Sequence, residues 1–247
     1  MIGGCCSYKA RLKIDGGTTL KEGATILFDQ AQHHKLFHVL RLRVGDNVCV
    51  FDGKQGAWLA TIDSLNKKSA QAKIISQHRN QHPPWHTRLL FAVLKQAALD
   101  DLIDKATQMA VGVLQPVITD YTVVRRINHV RLHSRATQAA EQCNRLDVPK
   151  VEPLKTIQDV LKTWDKQVPL YVCDPYKGES PTSTEENAAF LIGPEGGFSQ
   201  KEYALFDQLP DLGYSRQYVR LAPLLLRAET AATVALASVA PSATASL

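Results

Sequence analysis

The chain has 247 residues, enough for one large domain or two modest ones around a sizeable core. Hydrophobic residues make up 45% of it, an ordinary globular value, and no apolar run reaches transmembrane length. The N-terminal stretch lacks the apolar core of a signal peptide, and the five cysteines form no C-x-x-C pair. We therefore expect a cytoplasmic chain with free thiols, no membrane and no metal site.

The charge is distributed unevenly along the chain. Residues 1–80 hold 12 Lys and Arg against 6 Asp and Glu, whereas residues 81–247 hold 17 against 18. The basic excess therefore lies in the first third of the chain, which favours a polyanion partner such as RNA there. A basic surface kept for solubility explains the same excess.

Residues 1–77 are expected to form a small domain of short strands. Strand patterns occur at Ala24–Asp29, Asn47–Asp52, Trp58–Leu65 and Ala70–Ile75, and a helix is predicted at Gln32–Arg41. This pattern favours a small β-barrel, a frequent RNA-binding architecture. The polar, proline-containing residues 78–86 are predicted to be a linker to a second domain, residues 87–247.

Histidines and arginines gather on the predicted helix. His34 and His38 have the spacing of a metal pair, but no third ligand is evident nearby, so no metal is predicted. His38, Arg41 and Arg43 could instead contact a nucleic acid. A solvated helix end is the alternative for these three residues.

Continuous apolar strands alternate with helices from Leu89 onwards. The predicted strands are Leu89–Leu94, Val113–Thr119, Val168–Cys173, Ala189–Ile192 and Gln217–Leu221, with Pro116 expected near an edge or end. Helices are predicted between them and, last, in the stretch Ala222–Ala240, directly after Pro223. The alternation indicates a parallel sheet covered on both faces, where ligands bind at the carboxyl ends of strands.

A loop rich in glycine follows the strand Ala189–Ile192. It reads GPEGG at Gly193–Gly197, and Ser199 with Glu202 forms a capping box that begins a helix. The loop is neither a dinucleotide fingerprint nor a phosphate loop. Three glycines around a proline favour a loop shaped to a ligand over a plain turn, and Glu195 at its tip favours a neutral or cationic ligand.

Two stretches together resemble a known family. GPEGGFSQKE and LAPLLLRAETA are similar to the paired C-terminal motifs of the RsmE family, 16S ribosomal RNA (uracil-N3)-methyltransferases of the SPOUT superfamily. Three further stretches agree with that family: HHKLFHVLRLRVGD at His33–Asp46, the helix with Asp104–Thr107, and AAEQCNR at Ala139–Arg145. The resemblance spans most of the chain in the same order.

The resemblance implies a PUA-like β-barrel that binds RNA, followed by a SPOUT-type α/β domain with a trefoil knot. The second domain would bind S-adenosylmethionine (SAM). The family acts on the small ribosomal subunit as a homodimer, with the active site near the subunit interface, and we expect the same here.

Matching positions imply the residues of the SAM site, and the chemistry of uracil methylation together with the basic charge of the first domain suggests the other functional residues. The SAM site would comprise Leu191, Ile192, Gly193, Gly196, Gly197, Leu221, Leu225, Leu226 and Thr230. The catalytic residues would be Arg227, which stabilises charge on the uracil carbonyls, and Glu195 or Glu229 as the base. RNA contacts would come from Arg11, His38, Arg41, Arg43 and Arg145. An ion pair between Glu141 and Arg145 is the alternative for Arg145.

The sequence departs from the family pattern before the last helix. Ala222 replaces a glycine and Leu224 an arginine of the usual LGPRILR, while Arg227 remains. Two other readings therefore stay open: a SPOUT methyltransferase with another target, for example a ribose 2′-hydroxyl, and a non-catalytic RNA-binding or ribosome-assembly factor.

Overall fold

The computed structural model describes residues 8–15, 17–180 and 187–239, and the chain divides into two compact units. The first contains the chain up to Pro83 together with Ala140–Val148, and the second contains Pro84–Ala139 and the chain from Pro149 onwards. The adjacent Cys5 and Cys6, expected to be free thiols, lie outside the described residues. Within the described ranges, no helix is long and apolar enough to span a membrane.

The first unit is built on a five-stranded sheet. Its strands are β1 (Ala10–Lys13), β2 (Thr25–Leu27), β3 (Asn47–Phe51), β4 (Ala57–Leu65) and β5 (Ala70–Arg79), in the order β1-β3-β4-β5-β2. Only β1 and β3 run parallel; the other pairs are antiparallel. Strand β1 was not predicted. Strand β5 runs past residue 77, where the linker was expected to begin, because its last residues still pair with β4.

The predicted helix Gln32–Arg41 is present in a modified form. It begins as α1 (Gln30–His34) and continues as a π-helical turn, Lys35–Val39. Asp29 accepts a hydrogen bond from Gln32 N at 2.8 Å, and the Gln32 side chain accepts one from Asp29 N. This capping box starts the helix two residues earlier than predicted. The helical segment ends before Arg41, which has a φ of +51°.

The second unit contains a parallel sheet. Its strands are β6 (Arg88–Ala92), β7 (Val113–Ile118), β8 (Lys150–Val151), β9 (Lys155–Thr156), β10 (Leu170–Cys173), β11 (Ala189–Ile192) and β12 (Arg216–Val219). The order is β12-β10-β11-β6-β7-β8, and β9 also pairs with β7. The helices are α2 (Gln96–Gln108), α3 (His129–Gln142), α4 (Ile157–Lys162), α5 (Gln200–Gln208) and α6 (Ala228–Ala237). Residues of α3 from Ala140 onwards belong to the first unit.

Pro116 lies at a gap in the sheet. Strand β7 pairs with β8 through Val113 and Leu114, and with β9 through Val117 and Ile118. No strand pairs with Pro116 on that side among the described residues. A proline has no N–H to donate to a neighbouring strand. The side-chain amide of Gln115 instead donates to Pro116 O and Pro153 O, both at 2.9 Å.

The last helix begins later than predicted. Helix α6 starts at Ala228 rather than directly after Pro223, so residues 221–227 form a loop with Arg227 in an extended conformation at its end. Three consecutive leucines cannot all face one side of a helix. Leu224 and Leu225 are 77% and 70% exposed in this loop.

A buried carboxylate fixes the chain that follows the glycine loop. Glu202, with 0% exposure, accepts hydrogen bonds from Ser199 N and Asp120 N, each at 2.9 Å. Ser199 Oγ accepts from Glu202 N and donates to Asp120 Oδ2. The predicted capping box is confirmed. It also ties the start of α5 to the loop after β7.

We expect Glu202→Ala to lower the free energy of unfolding by about 1 to 3 kcal/mol, because the buried Ser199 N–H and the partly buried Asp120 N–H lose their acceptor. Urea denaturation measures this change. Lys201→Ala, at an exposed position in the same helical turn, is the control and should change stability by less than about 0.5 kcal/mol. Equal unfolding midpoints for the two variants would contradict the role of Glu202.

Candidate active site

A cavity of about 500 Å³ lies at the carboxyl ends of β10 and β11. Three loops line it: the one after β10, the GPEGG loop after β11 and the one before α6. Because β10 and β11 are hydrogen-bonded neighbours, their following loops emerge side by side. The volume is in the range of small-molecule sites.

The three glycines of the GPEGG loop differ in their surroundings and in their backbone conformation. A Cβ on Gly193 would lie 3.0 Å from the Phe198 ring, so Gly193 permits close packing inside the loop. Gly196 faces the side chain of Tyr121. Gly197 has a φ of +70°, which favours glycine, and a Cβ there would meet open space.

Most residues predicted to bind the cofactor line this cavity: Ile192, Gly193, Gly196, Gly197, Leu225 and Leu226. Leu221 lines a smaller adjoining cavity of about 50 Å³, together with Ala222 and Leu224. Leu191 and Thr230 do not line either cavity. Leu191 is fully buried and packs in the core of the unit, and Thr230 is exposed. The neighbour of Thr230, Ala231, contributes to the lining.

Two of the three predicted catalytic residues reach the cavity. Arg227 and Glu195 both line it, and both are exposed. They bring a guanidinium and a carboxylate to one site, which can donate to and accept from one polar ligand. Glu229 lies in the first turn of α6 and is not among the lining residues.

The loop after β10 supplies residues that the sequence did not single out. Asp174 is buried, and its Oδ1 accepts from Tyr176 N at 2.7 Å and Lys177 N at 3.0 Å. The Tyr203 phenol donates to Asp174 Oδ2. The signal for this loop was the Asp174-Pro175 break directly after a buried strand. Because β10 and β11 are neighbours, the loop that begins at this break lies beside the GPEGG loop and lines the same cavity.

Burial raises the pKa of two groups beside the cavity. Burial and the hydrogen bond to Asp174 raise the pKa of the Tyr203 phenol above its usual value. Burial and the nearby Asp174 charge likewise raise the pKa of the Cys173 thiol. The neutral thiol is a poor nucleophile.

A basic surface is present on the first unit. His38, Arg41 and Arg43 are all exposed there, as are the apolar side chains of Val39 and Val44. The rings of His34 and His38 are 5.1 Å apart. Across residues 8–15, 17–180 and 187–239, no group of three His, Cys, Asp or Glu side chains could hold a metal ion.

Two arginines predicted to contact RNA are buried instead. Arg11 is 7% exposed; its guanidinium lies 4.8 Å from the Phe51 ring centroid and donates to Arg145 O at 3.0 Å. Arg145 is also 7% exposed and pairs with Asp147. The prediction of surface RNA contacts for Arg11 and Arg145 is therefore corrected: both guanidinium groups are used inside the unit.

The alternative for Arg145, an ion pair with Glu141, is not observed either. Glu141 Oε2 pairs with Lys35 Nζ at 2.5 Å, and its Oε1 accepts from Lys13 N at 3.0 Å. These partners are distant in sequence, so helical spacing alone could not indicate them.

Comparison with known proteins gives the family. A family described as an RNA methyltransferase domain matches residues 81–240, and an RNA methyltransferase PUA domain matches residues 29–75. Ribosomal RNA small subunit methyltransferase E of Rickettsia conorii is 32% identical over 227 residues, covering 89% of this chain and 91% of the relative. This chain belongs to the RsmE family. The resemblance seen in the two C-terminal motifs is confirmed.

Two further relatives support the assignment of this chain to the RsmE family. The enzyme of the same name from Synechocystis is 31% identical over 87% of this chain and 73% of the relative. The crystal structure of the Neisseria gonorrhoeae relative, bound to S-adenosyl methionine, has a TM-score of 0.81 and 25% identity, with 93% and 96% of the two chains covered. The SPOUT-type α/β fold preceded by a PUA domain is therefore confirmed.

For Arg11→Ala we expect a loss of about 1 to 3 kcal/mol in the free energy of unfolding, because packing on Phe51 and a buried hydrogen bond are removed. Thermal or urea unfolding of the full chain gives the value. Arg43→Ala, an exposed arginine in the same unit, is the matched control and should leave stability unchanged. Unchanged stability of Arg11→Ala combined with weaker RNA binding would restore Arg11 as a contact residue.

Proposed function

We propose that this RsmE-family chain is a SAM-dependent methyltransferase that methylates N3 of a uridine in 16S ribosomal RNA of the small subunit. The observation that carries the proposal is the cavity between the GPEGG loop and the loop before α6, which brings Glu195 and Arg227 together. The names of the curated relatives and the SAM bound to the gonococcal relative support it.

The cavity suits SAM in size and chemistry. Ile192, Leu225 and Leu226 offer apolar surface for an adenine, and Glu195 offers a negative charge beside a cationic ligand. Gly193, Gly196 and Gly197 place backbone rather than side chains against the ligand, and Leu221 extends the apolar surface. Leu191 supports the site from the core. When bound, SAM supplies a methyl group already activated by its sulfonium, so the transfer needs no metal.

The protein groups act on the uracil. Its N3 carries a proton and lies on the pairing edge, so the base must be unpaired before it can react. Glu195 accepts the N3 proton, and Arg227 stabilises the negative charge that develops on the uracil carbonyl oxygens. Glu195 is favoured over Glu229 as the base because Glu195 lines the cavity. The remaining contribution is positioning of the two reactants.

We assign RNA binding to the N-terminal domain, with His38, Arg41 and Arg43 as its contacts, and methyl transfer to the domain after the linker. We further propose that the chain acts in the cytoplasm as a homodimer. The exposed Leu224 supports association, because it offers apolar surface that a second copy could cover.

Ala222 and Leu224 depart from the family pattern, but neither position is the proposed base or the proposed anion-stabilising arginine. Both residues line the small adjoining cavity rather than the main one. Arg227 lines the main cavity, whereas Ala222 and Leu224 do not. For this reason we favour methyl transfer over a non-catalytic role.

The direct test uses methyl-labelled SAM. The protein is incubated with unmodified small ribosomal subunits and, separately, with naked 16S RNA, and the labelled nucleoside is identified after digestion. We expect label in 3-methyluridine. Label in a 2′-O-methylated nucleoside, or none despite SAM binding, would contradict the proposal.

Replacement of Arg227 should separate catalysis from cofactor binding. We expect Arg227→Ala to lower the rate of transfer by about 100-fold or more, because a donor to the developing anion is lost, while the SAM dissociation constant from calorimetry stays unchanged. Arg220→Ala, an exposed arginine outside the lining, is the control and should keep full activity. An active Arg227→Ala enzyme would refute the assigned role.

Neutralising Arg41 and Arg43 together should weaken RNA binding and lower the slope of log affinity against log salt by about one to two, since each phosphate contact contributes roughly 0.7 to 0.9. The double variant Lys67→Ala/Lys68→Ala removes the same charge from the hairpin turn of the same unit. Filter binding at several salt concentrations compares the two. Equal losses in both variants would mean that binding is not localised at Arg41 and Arg43.

A further inference from the structure

Tyr176 combines features that are unusual for one side chain. Tyr176 is one of the residues that line the cavity, yet 85% of it is exposed, the largest exposure among the described large apolar side chains. An exposed aromatic ring gains little from the hydrophobic effect in the free protein. Its place at the rim of the cavity therefore points to a ligand that covers it.

The backbone around Tyr176 is held firmly. Asp174 N donates to Val219 O at 3.0 Å, and the Asp174 carboxylate accepts from the backbone N–H of Tyr176 and of Lys177. Gly178 has a φ of +85°, and a Cβ there would lie 2.1 Å from Tyr218 O. The chain leaves β10, turns and packs directly against β12.

Side chains beyond Tyr176 hold the same turn. Lys177 Nζ lies 3.9 Å from the centroid of the Tyr203 ring and 5.0 Å from that of Tyr218. Arg220 N donates to Glu179 O at 3.1 Å. Tyr176 thus projects from a fixed backbone, which lowers the entropy lost when its ring meets a ligand.

The cavity offers three complementary features to a uracil. Glu195 is an acceptor for the N3 proton, and Arg227 is a donor for a carbonyl oxygen. Tyr176 is a flat aromatic face. Unpaired bases in RNA are commonly held by stacking on such rings. Cytosine carries no proton on N3, so a cytosine placed with N3 towards Glu195 would set one acceptor against another.

We propose that Tyr176 stacks on the target base in unpaired RNA and holds the uracil edge towards Glu195 and Arg227. This inference rests on the proposed function. It adds a substrate-binding residue that selects the position of the base, and it makes the loop after β10 part of the RNA site.

The test compares Tyr176→Ala, Tyr176→Phe and Tyr176→Leu in the full chain. Loss of stacking should raise the KM for RNA by about 5- to 150-fold in Tyr176→Ala. Tyr176→Phe should stay within about twofold of the original enzyme, and Tyr176→Leu should lose most of the effect, because it keeps apolar area without a planar ring. The SAM dissociation constant, measured by calorimetry, should be the same in all variants.

Val123→Ala is the control, since Val123 is 80% exposed but does not line the cavity. An unchanged KM in Tyr176→Ala would overturn the inference. So would a rise in the SAM dissociation constant, which places the ring on the cofactor, or a change of oligomeric state in Tyr176→Ala, which places it under a second copy. Absence of 3-methyluridine with the unaltered enzyme would contradict the proposed function instead.

Discussion

The buried Glu202 carboxylate is the constraint on which the candidate site depends. Its two oxygens accept from the N–H groups of Ser199 and Asp120, which are far apart in sequence. The start of α5 is thereby joined to the loop after β7, and the GPEGG loop connects the end of β11 to that fixed point. Buried charged groups are stable only when such partners are present. One acidic residue therefore sets where the glycine loop can lie.

The cavity follows from this constraint and from strand order. Because β10 lies between β11 and β12, the loops that follow these strands emerge at one edge of the sheet. The loop after β10 is tied to β12 and carries Tyr176, the loop after β11 carries Glu195, and the loop before α6 carries Arg227. Each side chain comes from a different loop, and this arrangement gives one cavity an acceptor, a donor and an aromatic residue.

Local patterns predicted much of the fold, and tertiary contacts account for what they missed. Strand Ala189–Ile192 and the capping box at Ser199 have the predicted bounds, because strand hydrophobicity and helix capping are local. The burial of Arg11 depends on Arg145, which is 134 residues away in sequence, so no pattern could indicate it. The inclusion of Ala140–Val148 in the first unit is equally non-local. The family motifs identified two of the loops that line the site. Tyr176 could be identified as a lining residue only once β10 was known to be the neighbour of β11.

Amide hydrogen exchange with and without SAM tests the central claim, that these loops form the cofactor site. We expect slower exchange on SAM addition in the GPEGG loop, in the loop after β10 and at residues 225–228. We expect no change in Lys150–Thr156, which lies outside the cavity lining. Protection of Lys150–Thr156 with no protection of the GPEGG loop would contradict this claim.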